Sequence, residues 1–187
     1  MNRNIYLKNR NYYQNRIRHI LKYVSVENAS VLDVACGEML LYKMEGSRMK
    51  SYLGIDQIDY QNHPLFIHGD ILDFQLENQV PVDFIFLLGI LDHLNYPQKI
   101  KLLDTYKNLF SKKMVVSQFN EAAWYYNKDL EKYKAVNLNS YFQKDAIQWI
   151  YLLKLPLLPY VWNLTNAPKW IQKASTETIA LISKATL

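Results

Sequence analysis

The chain has 187 residues, half of them hydrophobic and 21% charged, with a formal net charge of +5. That length suits one globular domain with a sizeable core, and the modest basic excess admits an acidic ligand or a nucleic acid without demanding either. The single cysteine, Cys36, excludes an intramolecular disulfide, fits a reducing compartment and lacks companions for a metal site.

The first twenty residues are polar and basic without an apolar central run, so a cytoplasmic protein is expected rather than a secreted one. Residues 1–187 are read as one domain, with an N-terminal helical arm over 1–24. Arg3, Lys8 and Arg10 make the start of that arm basic. From Tyr12 to Val24, the apolar positions Tyr13, Ile17, Ile20, Leu21 and Val24 recur at helical spacing between Arg16, Arg18, His19 and Lys22. This is an amphipathic helix, and His19 is read as a solvated residue on it.

Val31–Ala35 is the first strand, and the run V-L-D-V-A-C-G-E-M over 31–39 turns through small residues to Gly37. A short helix is expected over Met39–Met44, with Gly46 as a left-handed cap. Ser51–Asp56 reads as the second strand and Leu65–Gly69 as the third, followed by Asp70. The stretch between them is too short for a full helix. Val82–Leu88 is a continuous apolar run, expected as a central strand buried on both faces.

Pro97 opens a helix that runs to Phe110, with Lys112 and Lys113 at its negative C-terminal end. Met114–Phe119 is the fifth strand. Residues 120–170 are read as a substrate-side or interface segment, with a helix over Gln143–Leu153. Its L-P-L-L-P stretch is too short and broken for a membrane span. Glu177–Ser183 is the last strand. Strands alternating with helices or loops imply a parallel sheet with right-handed crossovers.

Three strand ends carry an acid or a glycine at the carboxyl edge of that sheet: Asp33 to Gly37, Asp56, and Asp70. Open α/β sheets bind ligands there, and Asp56 lies about 20 residues past the turn, where a carboxylate can accept from vicinal ribose hydroxyls. Asp70 could accept from an exocyclic amine. Each acid alone is also a common turn former, and Cys36 is read as a packing residue rather than a nucleophile.

The ordered set V-L-D-V-A-C-G-E-M, Y-L-G-I-D-Q (52–57), F-I-H-G-D-I-L (66–72), V-D-F-I-F-L-L-G-I-L-D-H-L (82–94) and K-N-L-F-S-K-K-M-V-V-S (107–117) resembles the class I S-adenosylmethionine-dependent methyltransferases. The resemblance implies a Rossmann-like three-layer α/β sandwich, its mostly parallel seven-stranded sheet closed by an antiparallel last strand. It implies S-adenosylmethionine as cofactor and S-adenosylhomocysteine as product. Asp33, Ala35, Cys36 and Gly37 would flank the methionine part, Asp56 would hold the ribose, and Gln57 would lie beside the adenine. Asp70 and Ile71 would bind the adenine edge, with Gly89 and Leu91 lining the pocket beneath the sulfonium. The sequence departs from the family's acid-x-Gly-x-Gly-x-Gly motif at Ala35 and Met39, and the bulk of Met39 bears on the shape of the pocket.

A methyl group on a sulfonium is already activated, so the protein must align it with a nucleophile and take a proton from an alcohol. His93 is the candidate base, with Asp92 beside it; the alternative is that the two pair or cap the next helix. His63 has a weaker claim, and His68 is read as structural. By the resemblance, the lack of a D/N-P-P-Y/F motif after strand four argues against methylation of a base amine. The expected acceptor is therefore a small molecule methylated at oxygen or nitrogen.

The aromatic segment from Trp124 to Trp170 would wall the acceptor pocket or form a homodimer face. Two other readings stay open. One is an RNA-directed enzyme using Arg10, Arg16, Arg18 and Lys22 as a phosphate-binding face. The other is a homologue that binds the cofactor without methylating, for which Met39 is suggestive.

Overall fold

Alternation of apolar side chains along the strands sets the architecture. The computed structural model describes residues 10–59, 62–74, 81–120, 134–154, 161–164, 175 and 177–184. Its elements are α1 (Arg10–Ile20), β1 (Ser30–Val34), α2 (Leu40–Glu45), β2 (Ser51–Asp56), β3 (Phe66–His68), β4 (Val82–Leu87), α3 (Tyr96–Tyr106), β5 (Phe110–Phe119), α4 (Leu138–Tyr141), β6 (Ile147–Lys154), β7 (Val161–Leu164) and β8 (Glu177–Ser183). Arg3, Lys8, the L-P-L-L-P stretch and, within the Trp124–Trp170 segment, residues 124–133, 155–160 and 165–170 lie outside the described residues.

The strands form one eight-stranded sheet in the order β3-β2-β1-β4-β5-β8-β6-β7. The first five pair in parallel, whereas β8 runs antiparallel to both β5 and β6, and β7 antiparallel to β6. The order reverses between β1 and β4, which opens a crevice at their carboxyl ends, the usual ligand position in such sheets.

Neighbouring residues go to opposite faces, as strand geometry requires. Val31, Phe84, Phe86, Val115, Ile179 and Leu181 pack under α1 and α2. Leu32, Val34, Ile85, Leu87, Met114, Val116, Ala180 and Ile182 pack under α3 with Leu102, Leu103 and Tyr106. Each fully buried side chain of this size contributes about 1.5–3 kcal/mol. A helix cannot present two such faces two residues apart, so the central strands are specified by pattern.

Three expectations about elements are corrected. Gln143–Leu153 is not a helix: Ile147 and Trp149 pack on one core layer, Ile150 and Leu152 on the other, so the segment from Ile147 is a strand buried on both faces. The strands read from the residues number six; β6 makes the seventh that the resemblance implies, β8 is the antiparallel last strand expected, and the short β7 adds one more at the edge. The helix after Pro97 ends at Tyr106, and β5 begins at Phe110, so Lys112 and Lys113 sit in a strand; Lys112 pairs with Asp83 at 3.2 Å. Gly46 is right-handed, at φ −57°, and starts a 3-10 turn. Its lack of a side chain is still required, because a Cβ there would collide with the Tyr42 ring.

Candidate cofactor site

The turn after β1 is built on three consecutive alternate residues in left-handed conformation: Ala35 at φ 59°, Gly37 at φ 54° and Met39 at φ 55°. These are the positions where the motif has glycine. An L-residue in this region costs about 1–2 kcal/mol, so two of the three positions are strained. Met39 compensates by burial. Its side chain is 1% exposed and belongs to the core layer under α1 and α2, and it does not line the cleft. The bulk of Met39 is thus directed away from the ligand side, and the turn keeps the glycine conformation without the glycine.

The cleft lies over the carboxyl ends of β1, β2 and β4 and has ≈ 1120 Å³ of empty space, its open mouth included. It is lined by Asp33, Ala35, Cys36, Gly37, Asp56, Gln57, Ile71, Gly89 and His93 from the expected set. Tyr13, Arg16 and Ile17 of α1 close its other side.

Asp56 ends β2 with both carboxylate oxygens oriented by backbone. Oδ2 accepts from Gly37 N–H at 2.9 Å, and Oδ1 from Ile58 N–H at 2.9 Å. Each oxygen keeps a second lone pair for a ligand hydroxyl. Gln57 Nε2 donates to Asp70 Oδ1 at 3.1 Å, and Asp70 Oδ1 also accepts from Leu72 N–H at 2.8 Å. Asp70 is therefore an exposed turn carboxylate that orients Gln57, and it stands behind the lining. His68 Nε2 donates to the Gln57 carbonyl at 3.0 Å, and His63 Nδ1 accepts from Leu65 N–H at 3.2 Å.

Asp33 is 5% exposed, and its Oδ2 accepts from the Tyr52 hydroxyl at 2.8 Å. Burial raises its pKa from 3.8 to about 7, against the opposing effects of Tyr52 and Arg16. Burial also pushes the Cys36 thiol up, with Asp33 and Asp56 adding to the effect, so the thiol stays protonated and packs beneath Gly54.

Gly89, at φ 75°, follows β4 and donates its N–H to Ser117 Oγ at 2.7 Å. A Cβ at Gly89 would lie 3.3 Å from Arg16 Nη1, so this glycine makes room for the guanidinium as well as for the turn. Beyond it, Leu91–His93 is a 3-10 turn. His93 is exposed at the cleft.

Leu91 is corrected from a pocket residue to a core residue. It is 0% exposed and packs with Leu87 and Leu102 beneath the sheet. Asp92 does not line the cleft either: its Oδ1 accepts from Phe119 N–H at 2.9 Å, and burial lifts its pKa to about 6. Nor does Asp92 cap α3, because Asn95 and Gln98 form a capping box there.

Arg16 is a cleft residue that sequence reasoning left out of the site. It is 7% exposed, faces the cleft, and its Nη1 donates to Glu177 Oε1 at 2.9 Å. Tyr12 donates its hydroxyl to the other oxygen of Glu177. A signal was present: Arg16 falls between Tyr13, Ile17 and Ile20 on the apolar stripe of α1, where a solvated arginine does not belong. Among the described residues, no group of three or more His, Cys, Asp or Glu side chains could hold a metal ion. No helix there is long and apolar enough to cross a membrane.

No protein-family model matches the chain, and no curated protein matches it. Solved structures do. A SAM-dependent methyltransferase from Archaeoglobus fulgidus superposes with a TM-score of 0.67 at 13% identity, over 98% of this chain and 100% of that one. A possible histamine N-methyltransferase from Thermotoga maritima gives 0.65 at 12%, over 97% and 96%. The small RNA methyltransferase HEN1 gives 0.63 at 15%, over 94% of this chain and 25% of that one. Identities this low speak for architecture, and the architecture is unambiguous: the chain has the fold of the class I S-adenosylmethionine-dependent methyltransferases.

Proposed function

We propose that the protein is an S-adenosylmethionine-dependent methyltransferase acting on an oxygen or nitrogen of a small-molecule acceptor. The observation that carries this reading is the pairing of Asp56 with the Gly37 turn. A carboxylate fixed by two backbone N–H groups stands at the end of β2, beside a turn whose three left-handed residues bring backbone to the cleft. That donor and acceptor set fits a nucleoside with vicinal hydroxyls.

Asp56 would accept from the ribose hydroxyls, and Gln57, held by Asp70, would border the adenine with Ile58 and Ile71. Asp33 and the backbone of Ala35–Gly37 would face the methionine part. When bound, S-adenosylmethionine supplies a methyl group activated on a sulfonium. His93, at the cleft and exposed to solvent, would take the proton from an acceptor hydroxyl or amine. Asp92, engaged with the Phe119 backbone, would fix the turn that carries His93.

The structural neighbours include a possible histamine N-methyltransferase and a small RNA methyltransferase, so the fold leaves the acceptor class open. Against RNA stands the loss of Arg16 from the outer face of α1, where Arg10 and Arg18 remain exposed. Met39 gives no support to a homologue that binds the cofactor without methylating, because its side chain is buried in the core and leaves the cleft clear.

The test is calorimetric titration with S-adenosylhomocysteine, followed by transfer of labelled methyl to pooled small alcohols and amines or to RNA. Saturable binding and label in the small-molecule pool are expected. Absence of binding overturns the cofactor reading, and label in RNA alone overturns the acceptor reading.

A further inference from the structure

We propose that Tyr106, the last residue of α3, is a positioning residue for the nucleobase end of the cleft, its hydroxyl holding Ile71 where adenine packs. The assignment rests on the cofactor reading above and adds a residue that does not itself line the cleft. The Tyr106 hydroxyl donates to the Ile71 carbonyl at 2.9 Å, and the side chain is 0% exposed. Burial pushes its pKa up, with Asp70 adding to the effect, so the hydroxyl stays protonated and remains a donor. A phenol buried this deeply needs an acceptor, and the one it finds belongs to a residue that lines the cleft. Phenylalanine would fill the same space; what the hydroxyl adds is the tie to the Ile71 backbone.

The turn that carries Ile71 needs such a tie. It follows β3, which sits at the edge of the sheet and pairs with β2 through Phe66, Ile67 and His68 alone. Asp70 joins the turn to Leu72 and Gln57, but both of those bonds lie at the exposed rim. The anchor to the interior comes from α3, which is fixed by the capping box of Asn95 and Gln98 and by the buried Leu102 and Leu103. That helix reaches the turn twice: through Tyr106 at Ile71, and through Lys101, whose ammonium meets Asp73 Oδ1 at 2.5 Å on the surface. Ile71 is itself 2% exposed and packs in the same core layer as Tyr106. A wall held in place before the ligand arrives costs less ordering when it binds. Tyr106 thus acts on adenine only through Ile71.

S-Ribosylhomocysteine keeps the ribose and homocysteine of S-adenosylhomocysteine and lacks the adenine. Calorimetry on the wild-type chain is expected to show it binding at least about tenfold more weakly. Tyr106→Phe removes one oxygen and keeps the ring. It is expected to weaken S-adenosylhomocysteine about three- to tenfold and to leave S-ribosylhomocysteine within about twofold, so the gap between them narrows. Should Tyr106→Phe fail to fold, Lys101→Glu, an exposed change that sets a like charge against Asp73, loosens the same turn and must narrow the same gap.

A gap of wild-type width in the folded variant overturns the assignment, whether both affinities hold or fall together; a lowered Tm then marks Tyr106 as a stability residue only. Equal wild-type affinity for the two compounds overturns the placement of adenine against Ile71 and the assignment with it, while the ribose reading stands. A wild-type chain that binds neither compound overturns the cofactor reading and the assignment together.

Discussion

Ala35→Gly and Met39→Gly both place glycine at a left-handed position of one turn, and Met39→Gly should be the costlier of the two for stability. At Ala35, glycine relieves about 1–2 kcal/mol of left-handed strain. It costs about 0.4–1 kcal/mol through the freer unfolded chain. The half-buried methyl adds a loss of at most about 0.8 kcal/mol, so the net lies between about 0.8 kcal/mol of destabilisation and about 1.6 kcal/mol of stabilisation. At Met39 the same relief is set against removal of a side chain that is 1% exposed.

Truncation of a buried methionine costs about 2–5 kcal/mol. With the same freer-chain cost added and the left-handed relief subtracted, Met39→Gly should destabilise by about 0.4–5 kcal/mol net, at about 2–4 °C in Tm per kcal/mol for a chain of this size. Urea denaturation of the two variants, with S-adenosylhomocysteine affinity measured in parallel, is the assay. If Met39→Gly is as well tolerated as Ala35→Gly and binds the nucleoside more tightly, the Met39 side chain occupies the cleft and the reasoning fails.

Other outcomes follow from the same geometry. Asp56→Ala should weaken S-adenosylhomocysteine by about 1.5–3 kcal/mol, or roughly ten- to a hundredfold, through lost charged hydrogen bonds; unchanged calorimetric affinity removes the ribose role. His93→Ala should lower turnover with little change in cofactor affinity, and wild-type rates would make His93 structural. The folded-state pKa of Asp33 is raised, so its contribution to stability is complete below about pH 4 and is lost as pH rises through about 7. Asp33→Asn should thus flatten the fall in denaturation midpoint between acidic and mildly alkaline buffer; an unchanged profile would refute the shift. Gly89→Ala adds a Cβ 3.3 Å from Arg16 at a positive φ, and should reduce both thermal stability and cofactor affinity.

The strands β1, β2 and β4 were legible because their residues are apolar on both faces and end in an acid or a glycine. The positions of Asp33, Asp56 and Gly37 at the carboxyl edge followed from that. Ile147–Lys154 was misread because a strand buried on both faces is apolar almost throughout, and so satisfies a helical template as well as its own. The resemblance places Leu91 beneath the sulfonium, yet the 3-10 turn rotates it under the sheet. Sequence alone groups Arg16 with the basic face of α1, because its partner Glu177 lies 161 residues away in the chain, a contact that local spacing does not encode.

The most direct measurement is a crystal structure of the chain with S-adenosylhomocysteine. The account predicts the nucleoside in the cleft over β1, β2 and β4, with the ribose hydroxyls within hydrogen-bonding distance of Asp56 and the thioether sulfur facing the turn that carries His93. A nucleoside bound elsewhere, or a ribose turned away from Asp56, would contradict it.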